Sequence, residues 1–327
     1  MAHSHPMPTD PEVVEFIEQT LSWYPADAYA MSLEENRRLY DAMAEAFRAP
    51  RPEGVVAEDF EFTAVNPSRA IKCRRYLPEG VDREGPMVLY AHGGGFVLGG
   101  LESHDDACAG IAELTGLEVV AVDYRLAPEH QHPAQGDDFE AAFEHVAASG
   151  RKVIVAGDSA GGNLVGALVL RRRASGGPVP AGQVLIYPGL GGDRSKGSYI
   201  EMADAPLLKA KEGETYAGIR TGGTLTEAQR NDPDMGPLRA ADLSGLPPAF
   251  VVTAHIDPIR DDGAEWARRL AEAGVPAEWR DEPELVHGYL RARHMSKRTA
   301  ASFAAICEAI TRMAEGRFAP APAPAET

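Results

Sequence analysis

The chain has 327 residues, 44% of them hydrophobic and 25% charged, the balance of a globular protein rather than a fibrous or disordered one. Its 32 basic and 49 acidic side chains leave a net charge of −17, which disfavours nucleic acid and anionic membrane surfaces as partners. Cys73, Cys108 and Cys307 are too few and too scattered for a disulfide framework or a zinc site and fit a reducing cytoplasm. No apolar run approaches the roughly 20 residues that a membrane-spanning helix needs.

In chain order, Met1 to Pro11 is polar, carries His3 and His5, and contains no apolar signal segment. Pro11 to Arg48 reads as helical in two halves. Val13, Val14, Phe16, Ile17 and Leu21 form one apolar stripe, and Leu39, Met43, Ala46 and Phe47 a second. Pro25 and the cluster Pro50-Arg51-Pro52 punctuate them. Strands follow at Val55–Thr63 and Ala70–Leu77. From there short apolar runs (Met87–Ala91, Val119–Val122, Val153–Ala156, Val184–Tyr187, Ala249–Thr253) alternate with helical stretches at Asp105–Thr115, Gly136–Ala148, Ala160–Arg173 and Gly263–Ala273. Such alternation predicts a mostly parallel α/β sheet of about eight strands covered on both faces, with functional loops at the carboxyl ends of the strands. A last strand near Ala277–Arg280 and a helix over about Arg293–Ala314 complete the core, and residues 317–327 form a Pro/Ala-rich tail expected to be disordered. The economical division is a helical segment over 1–54, a catalytic domain over 55–316, and that tail.

The most informative segment is Gly157-Asp158-Ser159-Ala160-Gly161, a G-x-S-x-G match between an apolar strand and a helix. A serine on such a sharp strand-to-helix turn is lifted clear of the backbone, and only small flanking residues permit the turn. Asp158 is expected to be solvated or to cap the helix. Upstream, His92-Gly93-Gly94-Gly95-Phe96 ends another strand. Three glycines in a row mark a place where backbone approaches a ligand closely, here the carbonyl oxygen of a substrate, to which this loop and Ala160 would offer N–H groups. No Walker lysine or G-x-G-x-x-G spacing accompanies them. His92 reads as a structural hydrogen-bonding residue.

In this arrangement the acid and then the histidine follow the serine along the chain. Seven histidines precede Ser159 and His255 precedes the best acid, leaving His287 and His294. His294 is expected inside the last helix, whereas His287 lies in a loop after the last strand, where a base can reach the serine hydroxyl. Asp257, just past the strand at Ala249–Thr253, is the acid. Asp261 and Asp262 are expected to serve the N-terminus of the next helix. Among apolar residues that line a pocket, Phe96, Tyr187 and Leu190 are candidates, with Trp23, Leu98 and Tyr199 further ones.

Taken together, His92-Gly-Gly-Gly-Phe96, Asp123-Tyr-Arg-Leu-Ala-Pro-Glu129, Gly157-Asp-Ser-Ala-Gly-Gly-Asn163, Thr253-Ala-His-Ile-Asp257 and His287-Gly-Tyr289 resemble the hormone-sensitive lipase family of α/β-hydrolases, in its microbial carboxylesterase branch. The resemblance extends from about Pro86 to Leu290 and implies an α/β-hydrolase fold with a helical cap. It implies that Gly94, Gly95 and Ala160 form the oxyanion hole, and that the N-terminal helices together with 191–220 make the cap. It further implies short-acyl ester substrates, no cofactor and no metal, and a last strand placed to pair two copies edge to edge. The chain departs from the family pattern at Gln131-His132 and at Gly288-Tyr289, and no triad position is lost. Two other readings share the motifs: an amidase, lactonase or small-metabolite deacetylase on the same triad, and a non-catalytic small-molecule receptor, which the presence of His287 disfavours.

Overall fold

A computed structural model of the chain describes residues 7–319. His3, His5 and the end of the Pro/Ala-rich tail lie outside the described residues. Eight strands form one sheet: β1 (Val55–Val65), β2 (Ser68–Pro78), β3 (Met87–Ala91), β4 (Glu118–Asp123), β5 (Val153–Asp158), β6 (Gly182–Ile186), β7 (Ala249–Ile256) and β8 (Ala277–Val286). Their spatial order is β1-β2-β4-β3-β5-β6-β7-β8, with β1, β2 and β4 paired antiparallel and every later pairing parallel. This is the α/β-hydrolase fold expected from the sequence.

Burial follows the strand patterns. β3 and β6 are buried at every position, as continuous apolar runs require when helices cover both faces. β1 alternates half-buried and exposed side chains at one edge of the sheet. β8, the other edge, is rich in charge, contains Pro283 and leaves Trp279 half exposed. Charge and proline restrict which strands such an edge can pair with.

The helices are α1 (Pro11–Trp23), α2 (Leu33–Phe47), α3 (Asp105–Thr115), α4 (Ala134–Ala147), α5 (Ala160–Ser175), α6 (Ser198–Glu201), α7 (Ala210–Thr221), α8 (Glu227–Arg230), α9 (Arg260–Glu272) and α10 (Lys297–Ala314). Asp10 and Ser32 cap α1 and α2 by accepting backbone N–H groups, which fixes where each helix starts. One apolar cluster joins α1, α3 and α10 to one face of the sheet, and a second joins α4, α5 and α9 to the other. Two differences from the sequence reading fall near strand and helix ends that bear on the site. The strand expected at Val184–Tyr187 stops at Ile186, because Tyr187 takes φ 33°. His294 does not sit within the last helix; it ends a 3-10 segment, Tyr289–His294, and Ser296 caps α10 only afterwards.

Candidate active site

β5 feeds directly into Ser159, whose backbone (φ 54°, ψ −115°) lies where L-residues rarely sit, and α5 begins at the next residue. Holding a residue there costs on the order of 1–3 kcal/mol and needs a rigid surround. The surround is backbone against backbone. A Cβ on Gly161 would overlap the Ala91 carbonyl at the end of β3, and one on Gly157 would stand 2.6 Å from Gly161. The Ser159 amide donates to Ile186 on β6 at 2.8 Å. The glycines are thus steric necessities of the turn.

Two further strand ends bring in the partners. β8 ends at Val286, so His287 stands at the rim; its Nε2 is 2.9 Å from Ser159 Oγ and its Nδ1 is 2.7 Å from Asp257 Oδ2. β7 ends at Ile256, one residue before Asp257. Asp257 is wholly buried, and its second oxygen accepts the Ile259 amide at 3.0 Å. The Tyr187 ring packs edge-on against the imidazole, 4.9 Å between centroids. Side chains separated by 128 and 30 residues in sequence meet in one hydrogen-bonded line. Such a line can take a proton from a serine hydroxyl and steady the resulting imidazolium.

The glycine loop stands beside it. Gly94 (φ 116°), Gly95 (φ 61°) and Phe96 (φ 67°) all occupy left-handed backbone space. Among the described residues, no protein acceptor is bonded to the amides of Gly94, Gly95 or Ala160. All three residues line the cavity above Ser159.

Asp158 departs from expectation. It is neither solvated nor a cap but buried beneath the loop, accepting the Gly93 amide at 2.9 Å and the Tyr90 hydroxyl at 2.8 Å, with His104 Nε2 3.3 Å away. Burial alone would raise its carboxyl. The charge and hydrogen bond of His104 and the Tyr90 hydroxyl outweigh burial and hold it well below the usual range. His92, read as structural, is buried and stacked on Tyr124 with its Nδ1 2.7 Å from the Gly93 carbonyl. Burial and the neighbouring His104 push it down to about 3, so the ring is neutral and Nδ1–H donates to that carbonyl.

A cavity of about 1140 Å³ opens over Ser159, framed by α1, α2, α7 and the loops around them. Phe96, Leu98, Tyr187 and Tyr199 line it. Leu190 does not: it is fully buried in the core beneath α5, close to Gly166, where it supports the loop rather than facing the cavity. Trp23 lies half exposed and outside the lining. Asp261 and Asp262 sit in the first turn of α9 without capping it. Asp262 instead accepts the Leu190 and Gly192 amides and the Tyr199 hydroxyl, and Asp261 accepts the Ser198 amide. They pin the 190–198 loop to the sheet rim. Burial pushes Asp262 up to about 6 despite those donors.

The sequence reading missed the buried polar face of α7: Glu212, Tyr216 and Arg220. Their spacing of four residues was the available signal, since it places them on one side of a helix. Among the described residues, no group of three His, Cys, Asp or Glu is placed to hold a metal ion, and no helix is long and apolar enough to cross a membrane. All three cysteines are buried and unbridged.

A family model described as alpha/beta hydrolase fold matches residues 88–291. Esterase LipI of Mycobacterium tuberculosis is 43% identical over 68% of this chain and 72% of its own length. The ethyl acetate hydrolase of Pseudomonas putida is 30% identical over 80% of this chain and 85% of its own. Among solved structures, an esterase of Pyrobaculum calidifontis superposes with a TM-score of 0.82 at 32% identity, covering 94% of this chain and 99% of that one.

Proposed function

Since the chain belongs to the α/β-hydrolases, in the branch typified by hormone-sensitive lipase, we propose that it is a serine carboxylesterase acting on small, short-acyl esters through an acyl-enzyme. The observation that carries this reading is the unbroken line from Ser159 through His287 to Asp257, at 2.9 and 2.7 Å. His287 Nε2 takes the Ser159 proton as the oxygen attacks the ester carbonyl, then delivers it to the leaving alcohol. Water, deprotonated by the same imidazole, releases the acid and restores the serine. Asp257 keeps the imidazole in the tautomer with its proton on Nδ1. The Gly94, Gly95 and Ala160 amides hold the oxyanion of each tetrahedral intermediate, at a helix N-terminus that favours negative charge. No step requires a cofactor.

The short-acyl preference is supported by the activity named for the ethyl acetate hydrolase relative. The N-terminal helices and the segment 191–220 serve as the cap in this reading, because both contribute to the walls around Ser159. A cytoplasmic site of action is supported by three unbridged cysteines, and a homodimer through β8 by that strand's place at the sheet edge. The test is hydrolysis of p-nitrophenyl acetate with covalent labelling by a fluorophosphonate. Wild-type protein is expected to turn over the ester and to label once per chain, and Ser159→Ala to do neither. Wild-type rates from Ser159→Ala would overturn the assignment.

A further inference from the structure

Glu212, Tyr216 and Arg220 each lie less than a tenth exposed on the inner face of α7. Two of them have partners that account for their burial. The Tyr216 ring covers Gly95, where an added Cβ would stand 2.7 Å from it, and its hydroxyl meets the Tyr24 hydroxyl at 3.1 Å and Asn36 Nδ2 at 3.3 Å. The Arg220 guanidinium lies 3.7 Å over the Phe96 ring and reaches Asn163 and the Asp234 carbonyl.

Glu212 is different. Among the described residues, no lysine, arginine or histidine stands within ion-pair distance of it; its carboxyl accepts from the Tyr216 hydroxyl and the Lys209 amide and feels the charges of His287 and Lys209 from farther off. It lines the same cavity as Ser159 and His287, on a wall that also carries Tyr24, Tyr29 and Tyr40. Arg291 already stacks over Tyr40 and donates to its hydroxyl, so that ring has its cation. The Tyr24 ring, edge-on to Tyr40 and within the field of Glu212, does not. A buried carboxyl without a direct ion pair is unfavourable; burial outweighs the more distant charges of His287 and Lys209 and pushes Glu212 up to about 7. Aromatic faces and a carboxylate in one enclosure are the chemistry that recognises a substituted ammonium group.

From this juxtaposition we propose that Glu212, with Tyr24 and Tyr216, forms an ammonium-binding subsite, so that the preferred esters carry a cationic nitrogen in the portion that reaches α7. The inference rests on the ester-hydrolase reading for what the bound molecule is, and its test is independent of turnover. Binding is measured by calorimetry at pH 8.5 on the Ser159→Ala protein, using acetylcholine and its near-isosteric neutral counterpart, 3,3-dimethylbutyl acetate. Acetylcholine is expected to bind about tenfold tighter, and Glu212→Gln in the same background to bring the ratio to about one. Tyr24→Leu offers a second route should the Gln variant not fold, with the ratio reduced about threefold. Equal or weaker binding of acetylcholine by the Ser159→Ala protein overturns the proposal, as does a folded Gln or Leu variant that keeps the full ratio. Failure of the esterase reading would appear separately, as absent p-nitrophenyl acetate turnover by the protein that retains Ser159.

Discussion

The rim of the sheet and the cap above it hold polar groups by opposite means. At the rim, Ser159, Asp257 and His287 each follow the last residue of a parallel strand, and the turn under Ser159 is set by contact between glycine backbones and the Ala91 carbonyl. Asp158 there is held by two donors and His104. In the cap, helices α1, α2 and α7 meet through long side chains, with Arg220 held by two hydrogen bonds of 3.4 Å and Glu212 paired with no cation among the described residues. A site assembled from backbone tolerates almost no change of shape. One assembled from flexible side chains can change what it accepts while the chemistry beneath stays intact.

Breaking the rim should have the largest effects. His287→Ala is expected to lower kcat for p-nitrophenyl acetate by about 10⁴–10⁶ with the fold intact, as measured by stopped-flow and circular dichroism. Gly161→Ala forces a Cβ into the Ala91 carbonyl and should cost at least about 2–3 kcal/mol in urea unfolding, with kcat down about a hundredfold through displaced oxyanion amides. A Gly161→Ala protein with unchanged kcat would show that the turn is looser than its contacts imply. Asp158→Ala removes the acceptor of Tyr90 and Gly93 and leaves His104 without its counter-charge; a loss of about 3–5 kcal/mol is expected.

Substitutions in the cap should act more mildly and sharpen the contrast. Glu212 is raised by burial to about 7, above its ordinary value of 4.5. The unfolded chain therefore gives up its proton first, so this group withdraws stability as pH rises from about 4.5 to about 7. Glu212→Gln, which cannot ionise, should be more stable than wild type by on the order of 1–3 kcal/mol at pH 8 and nearly equal to it at pH 4, in paired thermal melts. The smallest effect is expected of Arg220→Met. Burial pulls this guanidinium down to about 9 despite the charges of Asp234 and Asp232, no carboxylate among the described residues forms an ion pair with it, and an apolar chain of similar length should keep unfolding free energy within about 1 kcal/mol of wild type. A loss of 3 kcal/mol or more at Arg220 would erase the distinction between rim and cap.

Much of this is legible in the sequence. The apolar runs and their alternation with helical stretches located all eight strands to within a few residues, except that β8 runs on to Val286, because its polar half carries no apolar pattern. Glycine spacing marked the turn at Ser159, and the Ser–acid–His order narrowed ten histidines to two. What failed were statements about single polar side chains. Asp158, Asp261 and Asp262 were read by local rules as surface or capping groups, yet each holds a loop from a distant part of the chain. Leu190 was read by hydrophobicity as pocket lining and is core, since apolar character does not say which side of a loop a residue faces.

Periodicity and turn chemistry are local, set by the next few residues and by the steric limits of the backbone, so the sequence alone determines the order of elements, the sharp turn at Ser159 and the candidates for its partners. Which groups share an enclosure depends on how elements far apart in the chain pack together. Only the tertiary structure could decide that the inner face of α7 lies over the glycine loop, and that Glu212 shares its cavity with six tyrosines and has no paired cation among the described residues.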